Sequence, residues 1–130
     1  ALLLARDAAE LFGKEVDIHV VGLAAITDIV TYAQGNNGCQ KAGAQFMNGS
    51  PDELPDDYAK ANPANYDIMT PITLMHGEAD PIVPLTQTTQ FNGAKLERVK
   101  IPEAGHFDWV HPGTPAFSRF LYSLRTIAYQ

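Results

Sequence analysis

Apolar runs of helical and strand length alternate along the chain, and their spacing predicts most of its regular elements. The segment ALLLARDAAELFG at 1–13 predicts a helix that ends at Gly13, because alanine and leucine favour helices and glycine ends them. Its first turn is apolar all round, which is typical of a helix whose start is buried on every side. The β-branched run VDIHVVGLAAI at 16–26 predicts a strand covered on both faces, with His19 packed in its interior.

Turn residues dominate the segment 31–66. The stretches QGNNGCQKAG and NGSPDELPDD are rich in the residue types that favour turns over helices and strands. One short helix, at 40–47, is predicted between them. Long connections in compact domains are commonly lids or binding loops, so we expect a lid-like region here.

Periodic patterns return in the second half of the chain. The segment TPITLMHG predicts a strand over 72–76 that opens at Pro71. The segment PLTQTTQFNG predicts a helix with Pro84 in its first turn and an Asn-Gly pair as its stop. LERVKI at 96–101 alternates apolar and charged residues, as an edge strand does.

The C-terminal segment TPAFSRFLYSLRTIAYQ predicts a helix that runs to Gln130, with Thr114 as its cap and Pro115 at its first position. The resulting order is helix, strand, loop, strand, helix, strand, helix. Such alternation predicts an α/β fold in which a parallel sheet is covered by helices. The apolar face of the last helix is expected to carry Phe117, Phe120, Leu121, Leu124, Ile127 and Ala128.

Composition narrows the classes of partner. The 130 residues fit one domain, and they carry a formal net charge of −6 with only nine lysines and arginines. Nucleic acid and anionic membrane surfaces are therefore disfavoured as partners, because both require clustered basic side chains. No run approaches the ~20 apolar residues of a membrane span, and the first residues do not resemble a signal peptide. The single cysteine, Cys39, excludes an internal disulfide. We expect a soluble protein, cytoplasmic by default, with secretion left open.

Two residues with catalytic potential follow consecutive predicted strands. Asp80 comes after the strand at 72–76, and His106 comes after the strand at 96–101. In open parallel sheets, functional groups gather where strands end and loops begin. A carboxylate in contact with the imidazole would fix its tautomer, and the histidine could then act as general base and general acid. We therefore predict that Asp80 and His106 are in contact.

The two segments resemble the Asp and His segments of the α/β-hydrolase superfamily. HGEADPIVP and EAGHFDWV are most similar to the esterase/lipase and prolyl-oligopeptidase-like branch, which includes the small carboxylesterases. The segment ANPANY is also similar to a family segment that precedes the Asp strand. The motif positions that match are His76, Gly77, Asp80, Val83, Pro84, Gly105, His106 and Phe107.

The resemblance implies a serine hydrolase that acts on an ester, or less readily on an amide or peptide, and that needs no cofactor. It also implies that Ala1–Ala5 lies within the helix that follows the nucleophile motif Gly-x-Ser-x-Gly. The serine is then expected upstream of Ala1, and 1–130 is expected to be the C-terminal portion of a single α/β-hydrolase domain. Alone, such a chain would be inactive. Its partner would be the N-terminal half of the same domain.

Nucleophiles within the chain fit this scheme poorly. The serines are Ser50, Ser118 and Ser123. Ser50 precedes Asp80 in the required order, but no predicted strand leads into it and no predicted helix leads out. Ser118 and Ser123 lie on the last helix, after His106. Cys39, in NNGCQ, is expected in a loop without the strand–turn–helix elbow.

Other residues have structural explanations at this stage. His106, Asp108 and His111 are close in sequence, but no regular element spaces them as metal ligands, so no metal is predicted. His76 is expected to shape the turn before Asp80. Phe107 and Trp109 are expected to plug the core, although one of them could line an acyl or leaving-group pocket. The alternative function is a non-catalytic remnant or interaction subunit that keeps the scaffold.

Overall fold

The chain folds into a small parallel sheet with helices on both of its faces, as the computed structural model describes for residues 1–13 and 15–129. The α/β class predicted from the sequence is confirmed. The strands are Val20–Leu23 (β1), Ile72–Gly77 (β2) and Leu96–Ile101 (β3). The helices are Leu2–Arg6 (α1), Ala8–Phe12 (α2), Ile29–Ala33 (α3), Gly38–Met47 (α4), Pro55–Ala61 (α5), Thr86–Thr89 (α6) and Pro115–Ala128 (α7), with a 3₁₀ turn at Pro63–Asn65.

The sheet has three strands in the order β1-β2-β3, and both pairings are parallel. Val20 pairs with Ile72, and Ile72 pairs with Leu96. Every residue of the central strand β2 is buried. This agrees with the apolar residues Ile72, Leu74 and Met75, because a strand inside a covered parallel sheet has no solvent face.

Two apolar clusters cover the two faces of the sheet. Burial of such side chains is the main source of folding free energy. The helix α1 packs on one face, and α7 packs on the other with Trp109 between it and the strands. The first cluster contains Leu2, Ala5, Val20, Ile68, Ile72, Leu74 and Phe91, and the second contains Met75, Val99, Ala104, Trp109 and Ala116.

The N-terminal segment forms two short helices, so the prediction of one helix up to Gly13 was wrong. The break is at Asp7, whose amide donates to the carbonyl of Leu4 instead of continuing the α-helical pattern. Asp7 also pairs with the neighbouring Arg6 side chain at 2.5 Å. Nor is the first turn buried on every side, because Leu2 is buried whereas Leu4 is 51% exposed.

The first strand is shorter than the predicted 16–26. It begins at Val20, whose amide donates to the carbonyl of Pro71, and the pairing with β2 continues only to Leu23. A parallel strand extends only as far as its neighbour offers partners, and β2 begins at Ile72. His19 therefore lies before the strand and not inside it. Its Nε2 lies 2.9 Å from Thr73 Oγ1.

The segment 31–66 is largely helical, which corrects the prediction of a long loop with a single helix. The helix predicted at 40–47 is present as α4 and starts slightly earlier. It is preceded by Asn37, which forms a capping box with Gln40. The additional helices α3 and α5 begin with local signals of their own: Asp28 caps α3 with its carboxylate, and Pro55 opens α5.

The second half agrees more closely with the sequence patterns. Strands β2 and β3 are confirmed, whereas the helix predicted after Pro84 is reduced to the single turn of α6. Thr114 caps α7 by accepting a hydrogen bond from the amide of Phe117. Gln130, the predicted end of this helix, lies outside the described residues. Among the described residues, no helix combines the length and apolarity needed to cross a membrane.

The buried line of α7 differs from the predicted face. Ala116 and Ser123 are its buried residues, whereas Leu121 and Leu124 are each 38% exposed. The side of the helix that packs on the core is thus centred on Ala116 and Ser123, and Phe120 of the predicted face packs against the same cluster. Part of its apolar surface is left uncovered.

Candidate active site

Asp80 and His106 meet at the carboxyl end of the sheet. Asp80 lies in the loop that follows β2, and His106 lies in the loop that follows β3. Because these strands are parallel neighbours, their following loops emerge at the same edge. His106 Nδ1 lies 2.8 Å from Asp80 Oδ2. The predicted contact is thus present.

Backbone contacts hold the two loops together. The amide of Glu78 donates to the carbonyl of Ile101 at 3.0 Å, and the amide of Ala79 donates to the carbonyl of Ala104 at 3.1 Å. Gly77 makes this approach possible. A Cβ atom at this position would lie only 2.1 Å from the Ala104 oxygen, so any side chain would force the loops apart.

The carboxylate of Asp80 is enclosed and well supplied with donors. Its side chain is 1% exposed. Oδ1 accepts hydrogen bonds from the amides of Ile82 at 2.8 Å and Val83 at 3.0 Å, and Oδ2 faces His106. Burial by itself would raise the pKa of Asp80, but the hydrogen bonds from Val83, His106 and Ile82 outweigh it and lower the pKa. The group is therefore ionised at neutral pH.

His106 is oriented by that carboxylate and remains accessible. Its side chain is 23% exposed. With Nδ1–H directed at the Asp80 carboxylate, the lone pair of the neutral ring is on Nε2, where it can accept a proton. Phe107 packs edge-on against the imidazole with the ring centroids 4.8 Å apart.

Phe107 and Trp109 behave differently from each other. Trp109 is fully buried and plugs the core, as predicted. Phe107 is 65% exposed, so the prediction of a core role was wrong for this residue. The side chain lies at the surface beside His106, where an apolar ring can contact a ligand or another part of the protein.

The serines and the cysteine of this chain lie outside the Asp–His site. Ser50 lies in a turn, where its hydroxyl donates to the Glu53 carboxylate at 2.8 Å. Ser118 and Ser123 lie in α7, as expected. Cys39 is exposed and lies in the first turn of α4, so the prediction of a loop was wrong at this position. None of these positions is a strand-to-helix elbow.

Residues 106–111 do not form a metal site in the described part of the chain. No group of at least three His, Cys, Asp or Glu side chains is placed to hold a metal ion among the residues that the structure describes. Asp108 instead accepts a hydrogen bond from the amide of Gly105 at 2.8 Å and so shapes the loop that carries His106.

Two amide side chains near the site escaped the sequence analysis. Asn37 donates from Nδ2 to the carbonyl of Ile82 at 2.9 Å and ties the helical segment to the Asp80 loop. Gln87 is buried, and its Oε1 accepts from the amides of Thr27 and Asp28, both at 2.8 Å. Asn37 precedes one predicted helix and Gln87 lies within another, and neither position signals such a contact.

A parallel sheet with an Asp–His pair at its carboxyl end places the chain in the α/β-hydrolase class of folds. Comparison with known families agrees. The BD-FAE family model matches residues 9–95, which is more than half of the chain. The chain therefore belongs to the BD-FAE family, an esterase-like family of α/β hydrolases. No curated protein sequence gives a significant match.

Solved structures share the fold. A truncated carbohydrate esterase from gut microbiota is 25% identical, with a TM-score of 0.65 over 91% of this chain. The mouse α/β hydrolase domain-containing protein 10 is 16% identical, with a TM-score of 0.56 over 98% of this chain. The Thermogutta terrifontis esterase Est2 is 15% identical, with a TM-score of 0.51 over 96%. This chain spans 45%, 58% and 50% of their respective lengths.

Proposed function

We propose that this chain supplies the Asp and His of a Ser–Asp–His triad in a carboxylic ester hydrolase. The observation that carries the proposal is the 2.8 Å contact between the buried, ionised Asp80 and the accessible His106. Membership of an esterase-like family and the resemblance to a carbohydrate esterase favour an ester over a peptide substrate. The substrate is accordingly a small-molecule ester.

The chemistry follows from the orientation of the imidazole. His106 Nε2 takes the proton from the serine hydroxyl as its oxygen bonds to the ester carbonyl carbon. Asp80 stabilises the imidazolium that forms. The bond between the carbonyl carbon and the alkoxide oxygen then breaks, and the same proton goes to that oxygen. The alcohol departs, and the acyl group stays on the serine oxygen as an acyl-serine. Water repeats the sequence with His106 as base, and releases the acid and the free serine.

The serine is proposed to lie upstream of Ala1, in a Gly-x-Ser-x-Gly elbow that leads into α1. Two observations support this placement. First, the three serines of this chain lie in a turn or in α7. Second, this chain spans only 45%, 58% and 50% of the three solved structures named above. Residues 1–130 would then be the C-terminal portion of one domain, with the helices of 31–66 as a lid-like cap.

The upstream half is proposed to pack against β1. This strand pairs with β2 on one side only and lies at the edge of the sheet. Beside it is a concave, mainly apolar surface that encloses a volume of about 450 Å³. A strand edge next to apolar side chains is a template for pairing with another strand. The lining includes Leu4, Phe12, Val16, Ile18, Val20 and Val21.

We expect a fluorophosphonate probe to distinguish the intact enzyme from this chain alone. The intact enzyme should be labelled at one serine upstream of Ala1, because the triad activates that hydroxyl. Residues 1–130 should remain unlabelled, since the elbow and its oxyanion hole would be missing. Mass spectrometry of tryptic peptides locates the label, with heat-denatured enzyme as the control. Stoichiometric labelling of Ser50 would refute the proposed position of the nucleophile.

We also expect residues 1–130, when expressed alone, to associate instead of forming a stable monomer. Several apolar side chains would stay uncovered, and burying each is worth about 1.5–3 kcal/mol. The measurement is size exclusion at micromolar concentration. Phe12→Lys, within the concave surface, should reduce the association. Phe46→Lys should not, because that residue is 86% exposed and does not line the concave surface. A sharp monomer peak with a strong near-UV signal from Trp109 and one cooperative melt would contradict this expectation.

A further inference from the structure

The geometry points to His76 and Thr88 as positioning residues for the Asp80 carboxylate. The inference rests on the proposed function, since it concerns how that function's Asp is held. His76 is the last but one residue of β2 and is fully buried. Its ring touches the Asp80 loop on one side and α6 on the other. Neither residue takes part in the proton transfers described above.

The contacts of the His76 ring define its tautomer. Nε2 lies 3.0 Å from the carbonyl oxygen of Val83, and a carbonyl oxygen can only accept. Nε2 must therefore carry a proton. Nδ1 lies 2.7 Å from Thr88 Oγ1, and the hydroxyl donates to it in the neutral ring. In this tautomer both nitrogens of the buried ring have a hydrogen-bond partner.

This tautomer acts on Asp80 in two ways. First, the Nε2–H bond holds the carbonyl of Val83, and the amide of the same residue donates to Asp80 Oδ1 at 3.0 Å. Second, the same Nε2 atom lies 3.6 Å from Asp80 Oδ2, the oxygen that faces His106. The partial positive charge of its proton favours the ionised carboxylate. One ring thus constrains both oxygens of the carboxylate.

Thr88 is itself held from the third strand. It is fully buried, and its carbonyl accepts a hydrogen bond from Arg98 Nε at 2.9 Å. Arg98 belongs to β3, the strand that also leads to His106. The hydrogen bonds therefore form a closed circuit from β3 through Thr88, His76 and the Asp80 loop to His106. Displacement of Thr88 should therefore change the distance between the Asp80 carboxylate and the His106 ring.

The test uses the intact enzyme with ¹⁵N-labelled histidine. In the wild type, His76 should give the ring-nitrogen pattern of a neutral Nε2–H tautomer, and His106 should show a low-field Nδ1–H resonance from its bond to Asp80. Thr88→Val removes the hydroxyl at nearly constant volume. We expect it to broaden or remove the His106 resonance and to lower kcat roughly 10- to 100-fold, with KM changed less than about twofold.

Two further variants separate positioning from general structural damage. Thr88→Ser restores a hydroxyl and should restore the His106 resonance and most of kcat. Thr89→Val removes a hydroxyl from the neighbouring exposed position of α6 and should leave both unchanged. A His76 spectrum of the Nδ1–H or the charged form would overturn the inference, and so would a Thr88→Val enzyme that keeps both the resonance and kcat.

The two proposals fail in different ways. If Thr88→Val does not fold, the wild-type spectrum of His76 decides the inference: the neutral Nε2–H form supports it, and the Nδ1–H or charged form overturns it. If the wild-type enzyme shows the expected spectra but hydrolyses no ester, the proposed function is wrong, whereas the positioning of Asp80 by His76 stands.

Discussion

Replacing His106 with alanine should reduce ester hydrolysis by the intact enzyme about 10⁴- to 10⁶-fold, because members of such a relay act as a unit. In the proposed mechanism, the imidazole is the group that takes the serine proton. The loss should fall on kcat. The measurement is turnover of a p-nitrophenyl ester at saturating substrate.

His111→Ala is the matched control for this substitution. His111 lies in the same post-β3 segment and is exposed, and its backbone carbonyl accepts a hydrogen bond from Thr114. We expect it to retain full turnover. Both variants should keep the circular dichroism spectrum of the parent. Turnover by His106→Ala within tenfold of the parent would exclude His106 as the general base.

Asp80→Asn should reduce kcat about 10⁴-fold, as expected when the partner of a catalytic histidine loses its charge. The amide would present an NH₂ or a neutral oxygen to Nδ1, and the imidazolium would lose its counter-charge. Glu78→Gln makes the same chemical change two residues earlier. Glu78 is a surface residue paired with Lys100 at 3.4 Å, so this control should change kcat less than about twofold.

Asp80→Asn should also change how the stability of the protein depends on pH in the acid range. The pKa of Asp80 is lowered in the folded protein, so its contribution to stability is present above the unfolded value of about 3.9 and is lost as pH falls through the folded value. The melting temperature of the wild type should therefore fall more steeply below about pH 4 than that of Asp80→Asn. Parallel curves from pH 7 to pH 3 would show that the carboxylate carries no such linkage.

Elements with a strong period were predictable, whereas those held by a few specific contacts were not. Strands β2 and β3 showed the buried and the alternating pattern that their positions require. The helix α5 has no apolar stripe, and Tyr58 is its buried residue. Asn62 helps to hold this segment, because its Nδ2 bonds Asp28 Oδ1 at 2.9 Å. Such a contact depends on tertiary placement and leaves no periodic trace.

The candidate site divides in the same way. Asp80 and His106 could be predicted because each follows a recognisable strand and the motifs around them are specific. Their supporting donors could not. The amides of Ile82 and Val83 are available in any sequence, and only the path of the loop turns them toward the carboxylate. The buried line of α7 through Ala116 and Ser123 was missed for a related reason, since such small residues add little to an apolar pattern.

The close approach of Gly77 to the carbonyl of Ala104 means that the spacing of the Asp–His pair is encoded in the main chain. The amide-to-carbonyl bridges between the loops would persist if either functional side chain were replaced. A gene duplicate could therefore lose the Asp–His pair and still inherit the same geometry. Regaining the pair would then take only point substitutions at 80 or 106. A side chain acquired at Gly77 would be harder to reverse, because the loops would first have to separate.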